Sequence, residues 1–121
     1  MGEETGHLHF WLCLLNIDIM NKKLGILLTT SPENENTHTV IRLAETALAD
    51  GKQVEVFLMC DGVYHLNDPR LEELTKKGVK VAVCAQNCLE RKAERKPFVL
   101  WGSQYDLAVL IKESDRFLAF N

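Results

Sequence analysis

"QVEVFLMCDGVYHLNDPRLEELTKKGVKVAVC", Gln53 to Cys84, is the stretch that decides the fold. It holds two apolar runs rich in β-branched and aromatic residues, Gln53 to Cys60 and Val79 to Cys84. Between them lie a polar loop, "DGVYHLN", and a charged helical segment that opens at Asp68-Pro69 and stops at Gly78. Aspartate caps a helix start, proline suits its first turn, and glycine takes the left-handed conformation that ends it. Two strands joined through a helix run parallel, because only antiparallel neighbours can be joined by a tight hairpin.

The same unit recurs on both sides. Upstream, Lys23 to Thr29 reads as a strand, and "TSPENEN" follows as a polar loop in which Ser31-Pro32 offers a helix start. From Thr37 to Asp50 the apolar residues Val40, Ile41, Ala44, Ala47 and Leu48 recur at helical spacing, with Gly51 behind them as a C-terminal stop. Downstream, Gln86 to Arg95 reads as a third helix. "FVLWG", residues 98–102, is left open, a helix follows from Ser103 to about Glu113, and "RFLAF" closes the chain as a strand. This alternation implies an α/β fold: a single-domain three-layer sandwich, with a mostly parallel sheet of about five strands and helices on both faces. In such sheets, ligands and reactions sit beyond the carboxyl ends of the strands. Here those ends are residues 29–36, 60–67 and 84–87.

The 121 residues suit one domain with its own core, given 46% apolar content and three prolines. We divide them into an N-terminal extension, residues 1–19, and a domain from Met20 to Asn121, where "MNKKLGILL" runs from polar residues straight into a buried strand. An extra strand or helix over an apolar patch is the other reading of the extension. Its apolar run, Leu8 to Leu15, follows Glu3 and Glu4 rather than the basic residues of a signal peptide. It also falls short of the about 20 apolar residues that cross a bilayer. Fourteen basic against 17 acidic residues, a net charge of −3, argue against an electrostatic grip on nucleic acid. Four cysteines in a chain with ample Leu, Val and Ile read as reduced thiols in a cytoplasmic protein.

Cys84 stands where the third strand turns into a helix, close to the unpaired N–H groups of Ala85, Gln86 and Asn87, a setting that favours thiolate. Arg91 and Lys92 are candidate cations about two turns on, or simply solvated. The competing reading of Cys84 is a small buried strand end. Cys88 lies four residues later, on the same face if the helix includes both. Helical Cβ atoms at that spacing are about 5–6 Å apart, against roughly 3.5–4.5 Å for a disulfide, so a lasting bridge would distort the first turn. Core packing competes with a resolving role. Cys60 ends the second strand and approaches Cys84 if the two strands are neighbours; an inert buried thiol is its plainer reading. Cys13 falls outside the repeating pattern.

A zinc site would draw on Cys60, Cys84, Cys88 and His65, but C-x3-C is not a zinc-knuckle spacing and the histidine stands alone, so we expect no metal. No strand is followed by a G-x-G-x-x-G or Walker A pattern, and we expect no nucleotide or other cofactor. "TTSPENEN" has polar side chains for some small ligand. His38 and Asp61 border the same rim and read as solvated or capping residues.

From about Lys22 to Asn121 the chain resembles the DsrE/DsrF-like sulfur-relay family. The likeness rests on "LGILLTT", "AETALADGKQVEVFLMCDGVYHLN", "GVKVAVCAQNCLERK" and "SDRFLAF", four pieces in the same order. The resemblance implies a cysteine persulfide carrier whose active cysteine closes the third strand, here Cys84, ahead of a basic helix. Asn87, Arg91, Cys88 and Cys60 are its accessory candidates. "ERKAERK" keeps Arg91 and Lys92 but lacks the family's glycine behind them. The resemblance further implies sulfur donor and acceptor proteins as partners, and a homo-oligomer, trimer or hexamer, with no direct contact to nucleic acid or membrane. The apolar run Phe98 to Trp101 adds a physical motive for assembly, unless the monomer's own core absorbs it. Two other readings stand beside the carrier: a noncatalytic subunit or small-ligand module in the same fold, with Cys84 buried and unreactive, and a dithiol redox protein using Cys84 and Cys88.

Overall fold

The computed structural model describes residues 22–121; the proposed extension, residues 1–19, and Cys13 lie outside the described residues. Strand β1 (Lys23–Leu28) leads through a polar loop into α1 (Glu35–Ala49) and then β2 (Gln53–Leu58). A 3-10 helix (Cys60–Asn67) and α2 (Pro69–Lys77) carry the chain to β3 (Lys80–Cys84), and α3 (Ala85–Glu90) to β4 (Leu100–Gly102). Helix α4 (Gln104–Glu113) and β5 (Arg116–Phe120) complete it. The five strands form one sheet in the order β4-β3-β2-β1-β5, and every pairing is parallel.

That order dictates the layers. From β1 to β4 each strand is added on the same side of the last, and right-handed crossovers then put α1, α2 and α3 on one face. The path from β4 to β5 must return across the whole sheet, so α4 lies on the other face. Burial agrees with this division. Val54, Val56, Val81 and Val83 pack with Val40 and Ala44 of α1 and with Leu71 and Leu74 of α2. Phe57 and Ala82, one step out of phase, pack with Leu107 and Leu110 of α4, as the alternation of side chains along a strand requires.

Local chemistry sets the element ends, with three departures from the sequence expectation. Asp68, Pro69 and Gly78 act as read: the Asp68 carboxylate accepts from the N–H of Arg70, and Gly78 adopts φ 112°. At α1, however, the cap is Asn34, whose Oδ1 accepts from the N–H of Asn36, while Ser31 donates its hydroxyl to Glu33. Residues 60–67 are a 3-10 helix rather than a loop. The third helix stops at Glu90, not Arg95, since Lys92 turns left-handed at φ 54°. "FVLWG", left open by the sequence, supplies β4 at the sheet edge. There Val99 is buried, and Phe98 and Trp101 pack on the core. Leu100, 50% exposed, is the residue of that run most open to water, while Phe98 and Trp101 are half-buried.

Candidate functional site

The carboxyl ends of β2, β3 and β4 lie side by side, and the 3-10 helix, α3 and α4 start from them. Cys84 is the last residue of β3 and pairs in register with Gly102 of β4. By strand alternation its side chain joins the α4 face, in the cluster with Phe57, Leu107 and Leu110, and the residue is only 3% exposed. Cys84 occupies the N-cap position of α3, as the sequence implied, yet its sulfur makes no capping hydrogen bond to the first turn. The hydrogen-bond contact that the Sγ does make, among the described residues, comes from Gln104 Nε2 at 3.8 Å.

Cys88 is turned the other way. It is fully buried in the large cluster with Val81, Val83 and Val99, so the two thiols are committed to opposite faces of the sheet rather than to one helical face. The cause is that Cys84 is still strand in its backbone, at φ −74° and ψ 110°, while Cys88 is helical. Burial, with a smaller push from Cys84, raises the Cys88 pKa to about 11, which keeps it a protonated core thiol at neutral pH. No disulfide joins Cys60, Cys84 and Cys88.

The remaining accessory candidates do come together. Cys60 sits at φ 52°, in the left-handed region that non-glycine residues seldom occupy, and is half-buried. Its backbone N–H donates to Asn87 Oδ1 at 2.7 Å, and Asn87 in turn donates from Nδ2 to Glu90. Arg91 donates from Nε to Asp61 Oδ1 at 2.9 Å, an ion pair that raises the guanidinium pKa further. Asn87 and Arg91 thus tie α3 to the 3-10 helix, around Cys60 rather than around Cys84. Asp61, read from sequence as a solvated or capping residue, is the partner of Arg91. His38 is exposed.

His65 is buried in the same 3-10 helix, with Nδ1 2.7 Å from the Gly62 carbonyl and Nε2 2.7 Å from the Thr37 hydroxyl. With the proton on Nδ1, the ring donates to Gly62 and accepts from Thr37, and both nitrogens are occupied. Burial lowers its pKa. Along the loop after β1, Thr29 donates to Asn121, and Asn36 donates to Thr30 and to the Asn121 carbonyl. Those side chains are paired with one another.

Gln104 is the residue that sequence reading missed. Its only local signal is the capping arrangement at the start of α4, where the Ser103 N–H donates to the Asp106 carboxylate at 2.8 Å. That marks position 104 as the first helical residue. Its approach to Cys84 follows from β4 lying beside β3, which was the one strand left open.

Against known proteins, the DsrE/DsrF-like family profile matches residues 22–120. The chain belongs to the DsrE/DsrF-like family. The uncharacterized protein MJ0989 of Methanocaldococcus jannaschii is 28% identical to it, over 81% of this chain and 99% of that protein. The uncharacterized protein MK0008 of Methanopyrus kandleri is 29% identical, over 71% and 83%. In structure the chain is similar to the ychN protein of E. coli, with a TM-score of 0.73 and 25% identity, covering 82% of this chain and 99% of that one. A conserved protein of unknown function from Bacteroides thetaiotaomicron shares the fold, with a TM-score of 0.66. No helix among the described residues is long and apolar enough to cross a membrane.

Proposed function

We propose that this DsrE/DsrF-like chain is a cytoplasmic sulfur carrier, a sulfurtransferase subunit that holds sulfur as a persulfide on Cys84 and passes it to a partner protein. The observation that carries the reading is Cys84 itself: a thiol closing β3 on the carboxyl rim of the sheet, the position that the resemblance implies for an active cysteine. The Cys84 thiolate attacks the terminal sulfur of a donor persulfide. The donor's S–S bond breaks, the donor leaves as its own thiolate, and Cys84 is left as Cys–S–SH. An acceptor thiolate then attacks that outer sulfur and restores Cys84. No net oxidant or reductant is consumed, because one sulfane sulfur moves between equivalent thiols.

Such relays need protein partners, and the rim has surface for them. Tyr64, Leu89 and Tyr105 are large exposed apolar side chains on the three segments that leave β2, β3 and β4. Intact mass after incubation with a persulfide donor tests the reading: one added sulfur atom, removed by reductant and missing in Cys84→Ala, is the expected result. A second reading, the noncatalytic subunit, has one observation in its favour, the near-complete burial of Cys84. It predicts no added sulfur.

A further inference from the structure

A buried thiol can act as a carrier only if something over it moves, and the side chains around Cys84 differ sharply in their freedom to do so. Phe57, Ala82, Leu107 and Leu110 are buried and locked in the core between the sheet and α4. Leu27 and Phe117 are half-buried members of the same cluster. Gln104 is different: it is exposed, long and unbranched, and stands on the first residue of α4, where no preceding helical turn confines it. Its Nε2 lies 3.8 Å from Cys84 Sγ and 3.6 Å from Met59 Sδ, and Met59, at the end of β2, is only half-buried. One amide group of an exposed side chain therefore touches both sulfurs, bridging the ends of β2 and β3. The bridge is made of weak contacts to sulfur, not of ion pairs or short hydrogen bonds, and such a group swings away at little cost.

We propose that Gln104 is the gate of Cys84: its side chain, laid from α4 over Met59 and the thiol, closes the sulfur from solvent and admits a partner's sulfur when it swings out. The proposal rests on the carrier reading for its purpose, while the gate is a property of the geometry. It also gives that reading what burial takes from it, a route to the thiol through one exposed side chain with the core left intact. The topology supplies the device. Because α4 must carry the chain back across the sheet, its first residue is fixed above the end of β3.

The test is the rate at which a maleimide labels each cysteine at neutral pH, read by peptide mass in the full chain and in Gln104→Ala. Minor open states are commonly populated at about 10% or less, so removing the gate accelerates labelling of Cys84 about tenfold or more. Cys88, buried on the other face, reports any general loosening and stays slow, and Cys60, already half-exposed, keeps its rate. An unchanged Cys84 rate in the folded variant overturns the proposal, as does an equal acceleration of Cys84 and Cys88. Failure of the carrier reading looks different: Cys84 is still unmasked by Gln104→Ala, but no sulfur loads onto it from a persulfide donor in either protein.

Discussion

Gly62 shows how closely the segment around the candidate site is laid on the sheet. A Cβ there would collide with the carbonyl of Leu28, at the end of β1, so the 3-10 helix can rest on the strand ends only if residue 62 has no side chain. Gly62→Ala is expected to lower stability by about 1–3 kcal/mol, the usual cost of forcing atoms into a filled space, and a urea midpoint measures it. Cys88 makes a second residue-scale prediction. Its thiol stays protonated in the folded state to about 11, against 9.0 unperturbed. Above about 9 the unfolded chain therefore releases a proton that the folded chain retains, and stability falls as pH rises through that window. Cys88→Ala removes this alkaline loss at the expense of a small cavity. Urea midpoints between pH 8 and 10.5 compare the two slopes: equal slopes would mean that Cys88 is not the titrating group.

At the scale of elements, the 3-10 helix is pinned at both ends of its span, by Asn87 of α3 and Arg91 just behind it to Cys60 and Asp61, and by Thr37 of α1 to His65. His65 makes that second pin sensitive to acid. Burial lowers its pKa below 6.5, so below about pH 6.5 the unfolded chain binds a proton that the folded chain resists. Stability is complete above that pH and falls as the pH drops towards the folded pKa. The hydrogen bond to the Gly62 carbonyl pulls the other way, as do Asp68 and Glu33, and Arg70 adds to the shift, each less than burial does. Thermal melts of wild type and His65→Gln between pH 5 and 7.5 check it; the variant is less stable at pH 7.5 but flatter towards pH 5. The elements also show what sequence can and cannot reveal. Asp68-Pro69, Gly78 and the apolar, β-branched run Val79 to Cys84 are local signals, and the structure agrees with each. The 3-10 helix left no such signal, because its shape is dictated by the ends of β1 and by α3. The early stop of α3 turns on Lys92, whose left-handed backbone no local rule anticipates in a lysine.

For the whole molecule, the sheet order was beyond the sequence because β4 is three residues long and its pairing with β3 decides which side chains meet. Cys84 was legible as a strand end, but its neighbour Gln104, 20 residues on, was not. The apolar run from Phe98 to Trp101 turns out to serve mostly the monomer's own core, with Arg95 over the Trp101 ring at 5.7 Å. Leu100 and Leu118, on the two edge strands, are exposed, and we propose that these edges are covered in a homo-oligomer, a trimer or hexamer. Sedimentation at micromolar concentration is expected to give a multiple of the monomer mass that Leu100→Glu or Leu118→Glu reduces; a monomer unaffected by either substitution would rule the assembly out.

Whether sulfur travels on Cys84 is decided by finding where the sulfur goes. The protein is treated with a persulfide donor, capped with an alkylating agent that preserves the persulfide, digested, and the peptide holding Cys84 and Cys88 is fragmented. One extra sulfur is expected on Cys84, none on Cys88 or Cys60, and it is lost when an acceptor thiol is added before capping. Sulfur on Cys60 with Cys84 unmodified, or on no cysteine at all, would contradict it.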